Sequence, residues 1–214
     1  MAQKFPSVGH MRTIIAAALL GSAFVAAPAL QATQESRATD SLERPFVSNG
    51  RIKMDLSAGE YRISGSPDNR IRLDWSVRNA DQLSRVKARA DVRGSDATIT
   101  TDGPSNNFKV TIQVPMRSDL YVRLTAGDLT VQYIEGNKDI ELHAGDVKID
   151  VGRAEDYHSV DATVWAGDLN AEPFQVSKEG LFRSFDWKGH GPYRLHVHLK
   201  AGDVRLFSKS ADSR

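Results

Sequence analysis

Four aspartates recur in one context, each directly after an Ala-Gly pair: Asp128, Asp146, Asp168 and Asp203. On equivalent positions of stacked strands such carboxylates would lie about 4.8 Å apart, a column that invites Ca²⁺. One carboxylate per repeat is thin ligation for a cation that takes roughly six to eight oxygens, so bonding to the N–H groups of each corner is preferred. His196 and His198 share a strand face, His143 occupies a repeat strand and His190 lies in a glycine-rich turn. Two imidazoles need further ligands to hold zinc, and alternation with Leu195, Val197 and Leu199 puts them on the solvent side of a half-buried strand. No metal and no cofactor is expected.

Asp150, Asp161 and Arg153 would suit a polysaccharide lyase or hydrolase if one sheet face gathered them. The chain has no cysteine, Gly-x-Ser-x-Gly elbow, phosphate-cradling loop or His-Glu-x-x-His pair. A non-enzyme is therefore expected, with a carbohydrate-active enzyme kept as an alternative. Phe182, Arg183, Phe185, Trp187, His190 and Tyr193 cluster around an insert over 172–192. Such a mixture stacks sugar rings or anchors a partner protein. It would equally serve as a cap covering the open end of a repeat array. Trp75 and Trp165 are read as packed.

The elements that must position these residues are repeats. Leu124-Thr-Ala-Gly-Asp-Leu-Thr-Val131 returns at 142–149, 164–171 and 199–206, and 56–63 keeps the pattern with Glu60 in place of Asp. Apolar residues change parity across Gly-Asp (Leu124 and Ala126 before it, Leu129 and Val131 after), so one straight strand cannot bury both sets. The chain must turn or bulge at Gly59, Gly127, Gly145, Gly167 and Gly202. Either Gly-Asp is a hairpin turn, or it is the corner of a solenoid whose strands stack in parallel. Offsets of 18 residues from Gly127 to Gly145 and 22 from Gly145 to Gly167 suit one coil. The expected fold is all-β: a β-solenoid or β-helix-like domain with an N-terminal region of short alternating strands. The alternative is an antiparallel β-sandwich built from Gly-Asp hairpins.

Residues 1–32 read as a secretory signal peptide, with Lys4, His10 and Arg12 ahead of an uncharged run that ends in alanines and Pro28. An uncleaved inner-membrane anchor is the alternative. A flexible linker is expected over 33–45, and a single β domain over 46–207. That domain divides into N-terminal strands (46–115), Gly-Asp repeats (116–171), the insert (172–192) and a last repeat (193–207), before a polar tail at 208–214. Asn79 to Arg85 suits one helical turn. Of 28 basic residues Lys4 and Arg12 fall in the signal, leaving 26 against 27 acidic and a net charge of −1. That balance gives no footprint for nucleic acid and no pull toward an anionic membrane.

The run Val110-Thr-Ile-Gln-Val-Pro115, followed by Leu120 to Val131 and Ile140 to Ile149 with their spaced Ala-Gly-Asp corners, resembles the bacterial putative-adhesin domain over roughly residues 46–207. The resemblance implies an exported protein with a β-helix-like fold and carries over no catalytic residues. The expected role is a non-enzymatic envelope protein of the periplasm or cell surface, offering a rigid β surface to a glycan or protein. Homo-oligomeric self-association through strand edges is the alternative, and no membrane span is expected after signal cleavage.

Overall fold

The computed structural model describes residues 37–209. The signal segment and residues 210–214 of the tail lie outside them. The first half holds β1 (Ala38–Pro45), β2 (Gly50–Leu56), β3 (Glu60–Ser66), β4 (Arg70–Val77), a helical turn α1 (Ala80–Leu83), β5 (Lys87–Arg93), β6 (Asp96–Asp102) and β7 (Lys109–Pro115). The repeats follow as β8 (Ser118–Ala126), β9 (Leu129–Gln132), β10 (Lys138–Ala144), β11 (Val147–Asp150), β12 (Tyr157–Ala166) and β13 (Leu169–Ala171). The insert supplies β14 (Val176–Lys178) and β15 (Leu181–Lys188), before β16 (Tyr193–Ala201) and β17 (Val204–Phe207). In α1 the Asn79 side chain accepts the Gln82 N–H at 3.0 Å, which is why the helical turn starts there.

These strands form two mixed sheets, neither closed into a barrel. One runs β15-β12-β16-β10-β8-β2-β6-β5, the other β1-β4-β7-β3-β9-β11-β17-β13-β14. The strands from β12 to β6 are parallel to their neighbours, as are those from β7 to β13. Antiparallel strands finish both ends: β15 on β12, β5 on β6, β14 on β13, and β4 with β1 beyond β7. Each Gly-Asp joins a strand of one sheet to a strand of the other, so none is a hairpin turn. Strand–corner–strand units therefore stack, and their spatial order departs from sequence order. The last unit, β16 with β17, sits between β10–β11 and β12–β13.

Register converts the sequence repeat into ladders. Across the first sheet Leu56, Leu124, Leu142, Leu199 and Val164 align, and across the second Ile63, Val131, Ile149, Leu206 and Ala171. All are buried in one shared core, each aliphatic side chain contributing about 1.5–3 kcal/mol by leaving water. Apart from a few exposed rings such as Trp165 and Phe182, the outer faces are polar, so these parallel sheets alternate like antiparallel ones.

The corners nest. Gly145 has φ +122°, and a Cβ there would collide with the carbonyl oxygen of Gly127 in the unit beside it. Gly127, Gly167 and Gly202 share the positive φ, whereas Gly59, ahead of Glu60, lies outside that region. The carboxylates act between units rather than within their own corner: Asp146 accepts the Asp203 N–H at 3.1 Å, and Asp203 accepts the Asp168 N–H at 2.9 Å. Asp203→Ala is expected to remove one such bond at about 1 kcal/mol, a fall of about 2–4 °C in melting temperature. An unchanged melt would show the bond to be idle.

Residues 38–45, expected to complete a flexible linker, are strand β1, paired along its length with β4. Only Ala38 and Leu42 of that strand are half-buried, and backbone bonding at an edge asks little of its side chains.

Candidate functional site

Seven residues before each corner glycine stands a ladder position: Ile52, Leu120, Leu195, Val160 and, in the repeat ending at Gly145, Lys138. This lysine replaces an aliphatic side chain inside the core and is 1% exposed. Its Nζ donates to the Tyr157 hydroxyl at 2.7 Å and to the Gly136 carbonyl at 3.1 Å, and lies 5.1 Å from the centre of the Tyr157 ring. Burial pulls the ammonium down to about 8, against the opposing pull of Asp150, Asp119, Asp156 and Glu135. Burial, reinforced by Asp156, Asp150 and Tyr193, raises the Tyr157 phenol, so it stays protonated at neutral pH. Sequence reading missed Lys138 although aligning the repeats exposes it as the one charge in an aliphatic column.

Tyr157 also lines a cleft of about 750 Å³ on the edge opposite the glycine corners, where the second sheet's strands end and the chain returns to the first. Tyr133 and Ile134 follow β9, Asp150 to Arg153 follow or end β11, and Ser208 and Lys209 follow β17. Tyr193, at the start of β16, meets Tyr157 edge-on with ring centres 6.2 Å apart. The walls are pinned. Asp150 Oδ1 accepts the N–H of Gly152 at 3.0 Å and of Lys209 at 3.3 Å. Lys209 Nζ donates to the Tyr133 hydroxyl at 2.7 Å, and Arg153 Nη2 donates to Asp156 at 2.7 Å.

The residues singled out from sequence separate into three places. Phe185 and Trp187 point inward and close the end of the core against Phe174, with ring centres 5.6 and 5.1 Å away. Arg183 shares their parity on β15, and its buried Nε has no acceptor. Phe182 points outward and packs against Trp165 with the rings tilted and their centres 5.8 Å apart. Trp165, expected to be packed, is 55% exposed because the outward parity of β12 carries it to the surface. His190 is exposed in the turn before β16, and Tyr193 belongs to the cleft.

Asp150 and Arg153 both line the cleft, but Arg153 pairs with Asp156, and Asp161 faces outward from β12 and bonds His196 at 3.0 Å. The three residues of the expected carboxylate–arginine set therefore do not converge. Among the described residues no three His, Asp or Glu side chains are arranged to hold a metal ion.

No family model and no curated protein sequence matches the chain. Solved structures do. A putative cell adhesion protein from Clostridium sporogenes is similar over 80% of this chain and 100% of its own, with a TM-score of 0.54 at 12% identity. A putative adhesin from Bacteroides fragilis covers 81% of this chain and 99% of its own at 11% identity, with a TM-score of 0.28. A putative lipid binding protein from Parabacteroides distasonis covers 80% and 95% at 9% identity and a TM-score of 0.27. The chain thus shares its fold with the Clostridium protein, in agreement with the resemblance read from the Gly-Asp repeats.

Proposed function

We propose that the chain is an exported, non-enzymatic binding module of the bacterial envelope. In this reading it is a short β-solenoid that recognises a surface glycan or protein through an exposed aromatic platform. The observation that carries the reading is the tilted ring pair Trp165 and Phe182, 55% and 71% exposed, next in sequence to Leu181 at 62%. Their outward neighbours on the same sheet are polar: Asp161, Thr163, His196 and His198. A contiguous apolar patch rimmed by polar groups marks an interaction surface, and flat rings suit the C–H faces of sugars. Use as an adhesin is supported by the fold shared with a protein described as a putative cell adhesion protein. Placement in the periplasm or at the cell surface rests on the signal-like segment at 1–32.

Self-association through the β5 and β1 edges is disfavoured. The edge strand β5 carries Lys87, Arg89, Asp91 and Arg93, and β1 carries Asp40, Glu43, Arg44 and Pro45, charges and a proline that resist edge pairing. The test is an array of bacterial surface glycans and envelope proteins probed with the purified protein. Trp165→Ala with Phe182→Ala is expected to lower binding at least about tenfold with an unchanged melting temperature, since both side chains are already solvent-exposed. Undiminished binding by the double variant would refute the platform.

A further inference from the structure

We infer that the cleft on the return edge is a second binding site, which takes a neutral sugar unit and works independently of the aromatic platform. Its walls combine ring faces with both acceptors and donors. Tyr133 and Tyr193 supply the rings, Asp150 and Asp156 the carboxylates, Arg153 and Lys209 the cations. Glu135 also lines the cleft, and buried Lys138 stands directly behind Tyr157, so positive and negative charges balance around it. A balanced site gives no net attraction to an anion or a cation, and its carboxylates would be left unpaired against an alkyl chain.

Sugar hydroxyls fit because each both donates and accepts. Both backbone N–H bonds to Asp150 fall on Oδ1, leaving Oδ2 to accept from a hydroxyl. Tyr157 is itself buried at 1% exposed with its hydroxyl tied to Lys138, so it forms a rigid floor under the cleft rather than a contact for the sugar hydroxyls. Tyr133, 46% exposed and held by Lys209, offers its ring at the rim. The volume of about 750 Å³ accommodates one or two sugar rings rather than a long chain.

The experiment is saturation-transfer NMR with calorimetric titration of the purified protein against a panel of neutral mono- and disaccharides, with choline and decanoate as charged and alkyl probes. A saccharide is expected to bind with a Kd of about 1 mM or tighter. Asp150→Asn, which keeps the Oδ1 acceptor, and Tyr193→Ala should each weaken it about tenfold, while Trp165→Ala leaves it unchanged. Should Tyr193→Ala fail to fold, Asp150→Asn decides alone. The inference falls if no saccharide saturates, if choline or decanoate binds there instead, or if both cleft variants bind like the parent. Loss of saccharide binding in Trp165→Ala alone would also overturn it, while upholding the platform.

Discussion

Valine at position 145 is expected to collapse the fold. Two penalties coincide there: a β-branched side chain would have to adopt φ +122°, and its Cβ would strike the Gly127 backbone, which cannot rotate away. Relief would require prising apart the two units, which bond through Gly127 N–H to Ala144 O and Leu129 N–H to Asp146 O, both at 2.8 Å. A loss of about 4 kcal/mol or more is expected, out of a total that for domains is about 5–15 kcal/mol. The melting temperature should fall by about 10 °C or more, or the protein should fail to fold. Gly94→Ala separates the two penalties, because Gly94 has φ +62° with open space around it; about 1 kcal/mol is expected there. Equal melts for both variants would show that nesting of the corners contributes nothing.

Stability should rise with pH above 8, against the usual trend for a protein losing its lysine charges. The Lys138 ammonium is pulled from 10.5 to about 8 by burial. Below pH 8 it is charged in both the folded and unfolded chain and contributes no slope. Between about 8 and 10.5 the unfolded chain still holds a proton that the folded chain has released, so raising the pH favours folding. The gain by pH 10 is about 2–3 kcal/mol, since a unit of pKa is worth about 1.4 kcal/mol. Higher still, the raised phenols of Tyr157 and Tyr61 reverse the sign, because the folded chain then keeps protons that the unfolded chain loses. Denaturant titrations from pH 7 to 10 should show the rise in the parent and a flat line in Lys138→Met. A rise that persists in Lys138→Met would assign it to another group.

The part of the fold legible in sequence was the part written in local chemistry. The parity change across Gly127-Asp128 demanded a corner, and the alternation in β2, β4 and β7 demanded strands with one solvated face. The order of the units was illegible for the same reason the repeat was visible. Leu124, Leu142, Val164 and Leu199 are near-interchangeable ladder rungs, so any unit fits beside any other by side-chain volume alone. β1 was hidden because an edge strand takes its pairing from backbone groups and gives little apolar pattern. At the sites, types were readable but directions were not. Phe182 and Phe185 look alike in sequence, yet one points to water and the other to the core, a distinction set by parity on β15. Lys138 went unnoticed because a lysine among polar residues attracts no attention until its register partners, Leu120 and Leu195, are known.

Placement of the last unit between its predecessors gives assembly a final keystone. β10 and β12 share no edge of their own; each pairs with a face of β16, the strand that opens only at Tyr193. Until β16 is delivered, β10 and β12 each lack one strand partner. The closing contacts span the 57 residues from Asn137, whose side chain takes the Arg194 N–H. Growth one strand–corner–strand unit at a time in sequence order, the route open to ordinary repeat arrays, is thereby barred. A chain made from its N-terminus would therefore keep these strand edges open until β16 is delivered.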